Sequence, residues 1–318
     1  MNEIILATDL GGTNLRMSAI DRNGEILYRT KRSTPKSDVA HEIVLAIKEA
    51  AIECREAVKG LGVVRAIAAA VPGTVNSEKG IILKAPNVPA LSGFRIAATL
   101  EAELDLPCFL ENDANAAAVG ENWCGASRGF KNSICITLGT GVGGGIIIDG
   151  KVLRGVDGTA GEIGHICVEP FGAPCGCGSR GCVEQYASAT AIVRLTREIG
   201  FQYPKSALPD KLHLSSLEIY EAGQNGDELA LEVFRKQGFY LGIALSGLIN
   251  VLNPEVIVIG GGAAAGWDLF MPQTHLIIRE RTYREPGERV KIVRAEKGDD
   301  AGVLGVARLA FEKVSELT

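Results

Sequence analysis

Between Gly161 and Ser188 the chain reads GEIGHICVEPFGAPCGCGSRGCVEQYAS, which sets one imidazole, four thiols and three carboxylates in one short stretch. His165, Cys175, Cys177 and Cys182 are one imidazole and three thiolates, the ligand set of a closed tetrahedral zinc site. A single residue separates Cys175 from Cys177, too little for the two to pair readily, and glycines at 176, 178 and 181 let the backbone wrap an ion. Cys167 lies two residues from His165 on the same face of a strand-like stretch, so spacing also allows it to replace one ligand. Folding such a knot about zinc carries Glu162 and Glu184 toward one spot. Two carboxylates and a metal-held imidazole then form a rigid row of partners for the hydroxyls of a sugar.

Two glycine-rich segments offer a second chemistry. DLGGTN (Asp9 to Asn14) and LGTGVGGG (Leu138 to Gly145) each sit at the turn between two paired strands. Backbone amides freed of side-chain bulk at Gly11, Gly12, Gly139 and Gly141 can point at phosphate oxygens, and Thr13, Asn14 and Thr140 add neutral donors. Residues 139 to 144 also satisfy GxGxxG, the dinucleotide fingerprint, but that fingerprint needs a helix at its third glycine and GIIIDGKVL continues as a strand and turn. No GxxxxGK[ST] loop is present. The pattern therefore predicts a nucleotide held between two hairpin loops. Gly260, Gly261 and Gly262 follow a buried strand, where their bareness would admit an adenine or ribose. In FLENDANAAAVGE, Asn112 and Asp113 stand where a buried strand gives way to a helix, a place for either an N-cap or a catalytic group beside a cleft.

The elements that must position these residues come in two similar series. IILATD, LRMSAID and EILYRTKRS read as three strands joined by tight turns, followed by a helix over residues 39–58 and the buried strand VVRAIAAAV. A short helix near 94–104 leads to LPCFLEND and an alanine-rich helix. SICITLGTGVGGGIIIDGKVL then starts the order again, with a long helix over 228–252, the buried strand PEVIVIGGG, and a last strand and helix. Strands alternating with helices predict an α/β fold, and two halves of one plan predict two domains facing across a cleft.

Composition removes other classes. The 318 residues are 46% hydrophobic and 22% charged with a net charge of −5, a globular balance with no footprint for nucleic acid or an anionic membrane surface. The start MNEIILATDLGG has neither the form of a signal peptide nor that of a spanning helix, and the expectation is a cytoplasmic protein. Of eight cysteines, four fall within sixteen residues, which in a reducing compartment favours a thiolate cluster over a disulfide framework.

GEIGH followed by CGCGSRGCVE, together with DLGGTN, ENDANAAAVGE, LGTGVGGG and VIGGG in that order, resembles the ROK family of sugar kinases and repressors over essentially the whole chain. CVEQYASATAI resembles its glucokinase branch. PNVPALSG at 86 to 93 departs from relatives that carry an aromatic residue there, which bears on Asn87. The resemblance implies a duplicated ribonuclease H-like (actin/hexokinase) plan. A small domain would span residues 1–111 and a larger one 112–300, with a helix at 301–318 packing back on the first. It implies ATP-dependent phosphorylation of the 6-hydroxyl of glucose, with kinases for N-acetylglucosamine, N-acetylmannosamine or fructose as alternatives. Asp113 would be the base, Asn112 would hold the 3- and 4-hydroxyl side, and Glu162, His165 and Glu184 would hold the ring's other edge. Asp9 would hold Mg²⁺ through water, and zinc would be structural. A homodimer or dimer of dimers is expected. A repressor of the family would carry a helix-turn-helix ahead of the first strand, and here that strand begins at Ile4.

Overall fold

The computed structural model describes residues 2–317, apart from the side chain of Leu317. The domain limits expected at residues 1 and 318 lie outside the described residues. The chain opens with β1 (Glu3–Leu10), β2 (Asn14–Asp21) and β3 (Ile26–Ser33), an antiparallel meander. Helix α1 (Ala40–Ala57) leads to β4 (Val63–Val71), parallel to β1. A small hairpin of β5 (Thr74–Asn76) and β6 (Ile81–Lys84), then α2 (Ile96–Leu104), precede β7 (Cys108–Asn112), parallel to β4. Next come α3 (Asp113–Cys124), β8 (Ser133–Leu138), β9 (Val142–Ile148) and β10 (Lys151–Val152). Four helices follow: α4 (Glu184–Ala187), α5 (Ala189–Ile199), α6 (Ser216–Gln224) and α7 (Glu228–Leu252). The chain closes with β11 (Val256–Gly260), α8 (Trp267–Arg281), α9 (Arg284–Arg289), β12 (Lys291–Arg294) and α10 (Ala301–Leu317).

The first sheet has the order β3-β2-β1-β4-β7 and the second the order β10-β9-β8-β11-β12. Place for place these are the same plan, three consecutive strands continued by two further strands joined in parallel. The repeated order of the sequence is therefore a repeated sheet, and the fold is the expected duplicated α/β architecture. The chain divides into two compact units, one of Met1–Phe130, Gly145–Gly161 and Glu296–Thr318, the other of Lys131–Gly144 and Glu162–Ala295.

In the first unit the sheet is covered on both faces, which is why its central strands read as continuous apolar runs. Ile4, Leu6 and Leu10 of β1 pack toward α1 and α2, while Ile5 and Ala7 pack toward α10. Opposite α10 the strand β4 presents Ala66, Ala68 and Ala70, small residues that let the helix lie close. Helix α10 also crosses α3 at glycines: a β-carbon at Gly120 would collide with the carbonyl of Ala301, and one at Gly305 with that of Ala116. This crossing fixes α3, whose first residue is Asp113. In the second unit the long helix α7 packs along α8, with Thr274 buried against the Gly238 carbonyl at 3.1 Å. Among the described residues no helix is long and apolar enough to cross a membrane.

Candidate active site

In the first unit the turn between β1 and β2 is closed by the Gly11 amide donating to the Asn14 carbonyl at 2.8 Å, while Gly12 and Thr13 are exposed. A β-carbon at Gly12 would stand 2.9 Å from the carbonyl oxygen of Asn87, so only glycine lets this turn lie against the 86–93 loop. Asp9 pairs across the strands with Arg16, whose Nη1 lies 3.2 Å from Asp9 Oδ2 and whose Nη2 lies 2.7 Å from Asp299 Oδ2. Burial pushes the Asp9 carboxyl above its ordinary range, with Arg16 opposing the shift and Asp299 adding to it.

At the end of β7 the helix cap is Asn112, not Asp113. Its Oδ1 accepts from the amides of Ala114 and Asn115 at 2.9 and 3.0 Å. Asp113 is the first helical residue, half-exposed, and its Oδ1 accepts from the Ala114 amide at 2.9 Å and from Asn112 Nδ2 at 3.2 Å. The same Asn112 Nδ2 donates to the Gly73 carbonyl at 2.9 Å. The carboxylate is thus aimed by the cap beside it.

In the second unit His165 Nδ1 and the sulfurs of Cys175, Cys177 and Cys182 lie within 4.8 Å of one another. Cys175 Sγ is 3.6 Å from His165 Nδ1 and Cys177 Sγ is 3.7 Å from Cys182 Sγ. A tetrahedral zinc with bonds of about 2.3 Å to sulfur and 2.0 to 2.1 Å to nitrogen sets such edges at about 3.6 and 3.8 Å, so these two edges match the ion and the four groups suit it in kind. Burial, then the neighbouring thiols, push the Cys182 thiol up to about 12, while the Ser179 backbone amide and then the Cys175 thiol hold Cys177 below the ordinary thiol range. Cys167 is exposed and outside the four; it faces Cys182 as an antiparallel bridge partner. Ligation through Nδ1 leaves the proton of His165 on Nε2, which lies 3.9 Å from Glu162 Oε2.

Glu184 opens α4, two residues after Cys182. Its Oε2 accepts the Val142 amide at 3.1 Å and its Oε1 lies 3.8 Å from Cys175 Sγ. Any β-carbon at Gly141 would run into that Oε2. The hairpin of residues 139–141 is further held by the Ala189 amide on the Gly139 carbonyl and the Thr190 hydroxyl on the Thr140 carbonyl, both at 2.8 Å. Gly260 ends β11, Gly261 takes φ 87° where a β-carbon would collide with the backbone of Leu138, and a β-carbon at Gly262 would meet open space. Beside them Ile192, Ser216, Tyr220, Phe234 and Ala263 line a small recess.

Three partners of these groups escaped the sequence reading. Arg16 is one. The others are Glu111, almost wholly buried one residue before the cap, and Arg154, which pairs with it. The charged residue inside the apolar run of β7 was the available signal, because a buried carboxylate needs a partner.

The order of sites is that of a known group of proteins. The sequence model of the ROK family matches residues 5–313. A glucokinase of Halalkalibacterium halodurans is 38% identical over 94% of this chain and 92% of its own, and a glucokinase of Thermotoga maritima is 35% identical over 98% of each. The crystal structure of a ROK family glucokinase from Streptomyces griseus, in complex with glucose and AMPPNP, superposes with a TM-score of 0.81 at 35% identity, covering 97% of this chain and 99% of that one. With paired glycine hairpins, a carboxylate at the head of α3 and a His-Cys₃ knot in one chain, the protein belongs to the ROK family.

Proposed function

We propose that this chain transfers the γ-phosphoryl group of ATP to the 6-hydroxyl of glucose. The observation that carries the reading is Asp113, a half-exposed carboxylate fixed by Asn112 at the head of α3, in a chain whose relatives include glucokinases. In a loose phosphoryl-transfer transition state the hydroxyl proton leaves late, so the placement of the base counts for more than its basicity. Asp113 accepts that proton. Asn112 borders the 3- and 4-hydroxyl side, the carboxylates of Glu162 and Glu184 accept hydroxyls of the other edge, and His165 donates from Nε2.

The turn at Gly11, Gly12, Thr13 and Asn14, closed by the Gly11 amide, and the hairpin of Gly139, Thr140 and Gly141, closed by the Gly139 amide, would present their remaining amides and hydroxyls to phosphate oxygens, while Gly260, Gly261 and Gly262 would leave room for the adenosine. Asp9 would hold the water shell of a nucleotide-bound Mg²⁺, which would neutralise charge on the transferred group. Structural zinc in the His-Cys₃ knot keeps His165 and the neighbouring carboxylates in register. The reading extends to a cytoplasmic homodimer or dimer of dimers, a state that sedimentation of the purified protein reads directly.

The test is coupled ADP release across glucose, mannose, fructose, N-acetylglucosamine and N-acetylmannosamine, with Asp113→Asn alongside. Glucose is expected to give the highest kcat/KM, and removal of the base to lower kcat by about 10²- to 10⁴-fold with glucose affinity changed far less. A folded, zinc-loaded Asp113→Asn protein with near wild-type kcat would refute the mechanism. Sugar binding without turnover by the wild type would favour a sugar-responsive regulator.

A further inference from the structure

The carboxylate immediately before the cap has the richest set of partners in the first unit. Glu111 is 2% exposed, at the end of β7, on the face opposite Leu110. Its Oε2 takes both Nε and Nη2 of Arg154, at 2.8 and 2.7 Å. Its Oε1 takes the Asn112 amide at 3.0 Å, the Asn115 side-chain amide at 3.2 Å and the Ser77 hydroxyl at 3.5 Å. One oxygen therefore faces a cation and the other faces the backbone and first turn that present Asp113.

We infer that Arg154 is a positioning residue for the base: by pairing with buried Glu111 it fixes the cap residue Asn112, and through it the direction of the Asp113 carboxylate. The inference rests on the reading of Asp113 as the base. A buried carboxylate holds one position only while a cation and hydrogen-bond donors balance it. Without Arg154 the Glu111 side chain gains most by turning toward water, and that turn takes Oε1 away from the Asn112 amide and from Asn115. Asn112 would keep its bonds to the Gly73 carbonyl and the helix amides, so the cap would survive but loosen. Arg154 is itself held by its backbone, because its carbonyl accepts the Ala160 amide at 3.1 Å. The guanidinium thus comes from a tied segment, not from a free side chain on the surface. Arg154 reaches the cap through its two bonds to Glu111.

The experiment compares wild type with Arg154→Met, Arg154→Lys and Glu111→Gln, the last isosteric and breaking the same pair from the other side should Arg154→Met fail to fold. Steady-state kinetics with glucose and ATP are paired with hydrogen exchange of the amides of residues 112–115. Arg154→Met and Glu111→Gln are expected to lower kcat at least tenfold, to change the KM for ATP less than twofold, and to speed exchange of those amides at least tenfold. Arg154→Lys, a point charge without the fork, should fall between these and wild type. Folded variants with kcat within twofold of wild type and unchanged exchange would overturn the inference, as would slowed exchange in either. Should wild type itself phosphorylate no sugar, the kinase reading fails, and the exchange of residues 112–115 still decides whether the pair fixes the cap.

Discussion

Gly145 lies in β9 against the first turns of α3, and replacing it by alanine perturbs the helix head that carries Asp113, the base in the proposed mechanism. A β-carbon there would stand 2.6 Å from Ala118 Cβ, 2.7 Å from the Ala114 carbonyl oxygen and 3.1 Å from Asn115 Cα. Carbon contacts settle at about 3.5 to 4.0 Å, so the strand and the helix must separate by about 1 Å. Ala118 has no rotamer that could yield. The helix cannot retreat as a body, because its far side meets α10 at Gly120 and Gly305, where there is no slack. The first turn of α3 therefore tilts, and Asp113 tilts with it. A misplacement of that size costs on the order of 10²-fold in rate, while overpacking of this kind costs about 1 to 3 kcal/mol of stability. Gly145→Ala is thus expected to stay folded, to melt earlier, and to lose about a hundredfold in kcat, read by coupled ADP release at saturating glucose and ATP. Adding Ala118→Gly removes the nearest contact and leaves the one to Ala114, so it should return part of the rate even though glycine weakens the helix by about 1 kcal/mol. A folded Gly145→Ala enzyme with wild-type kcat would refute the reasoning, since the strain would then be absorbed without moving the base.

Metal analysis of the purified protein should find one zinc per chain, lost in Cys177→Ala and kept in Cys167→Ser; the opposite pattern would reassign the ligand. Because thiolates and imidazole must be deprotonated to bind, acidification should release the ion, followed with a chromogenic chelator. Glu255 accepts the amides of Asn132 and Lys131, and these bonds, that of Asn132 first, hold its carboxyl below the ordinary range. A depressed carboxyl contributes stability above its unfolded value and loses it as pH falls through the folded one. Glu255→Gln should therefore melt below wild type at pH 7, and the two should converge in acid below about pH 4.

The elements were legible wherever local chemistry alone decides them. Continuous apolar runs such as Ile4–Leu6 and Val256–Ile259 announced strands covered on both faces, and the repeated order of strand, glycine turn and strand announced the repeated sheet. The β5–β6 hairpin did not show, because strands of three and four residues leave no period to read. In the site, residue type and close spacing were enough for His165 and the three cysteines, since metal ligands must be soft, few and near. The cap was less legible: Asn and Asp are both good N-caps, and only the coordinates place Asn112 at the cap and Asp113 one step inside. Arg154 was out of reach for another reason. Its partner lies 43 positions earlier, and nothing along the chain tells which distant cation a buried carboxylate will find.

Glu184 shows how the second unit joins chemistries that sequence keeps apart. It follows Cys182 closely, so the fold of the zinc knot decides where its backbone starts, while its Oε2 closes on the Val142 amide at the foot of the glycine hairpin. Its other oxygen lies 3.8 Å from the sulfur of Cys175. As a thiol Cys175 donates to that oxygen, and a zinc ion taking the sulfur as a thiolate would draw off its charge, so the carboxylate can keep this seat with the metal bound. The four-ligand knot offers a place for a cation, and Glu184 would then link it to the glycine hairpin with a single side chain. The same logic governs Glu111, where the cation is Arg154 and the element held is the cap before Asp113. In each unit one carboxylate sits beside a glycine hairpin or a helix head, seated at Glu111 by Arg154 and at Glu184 by the Val142 amide and the Cys175 thiol. The ion of a closed four-ligand set has no open position for substrate. Its contribution would be geometric, holding the loop from which the Glu184 backbone starts.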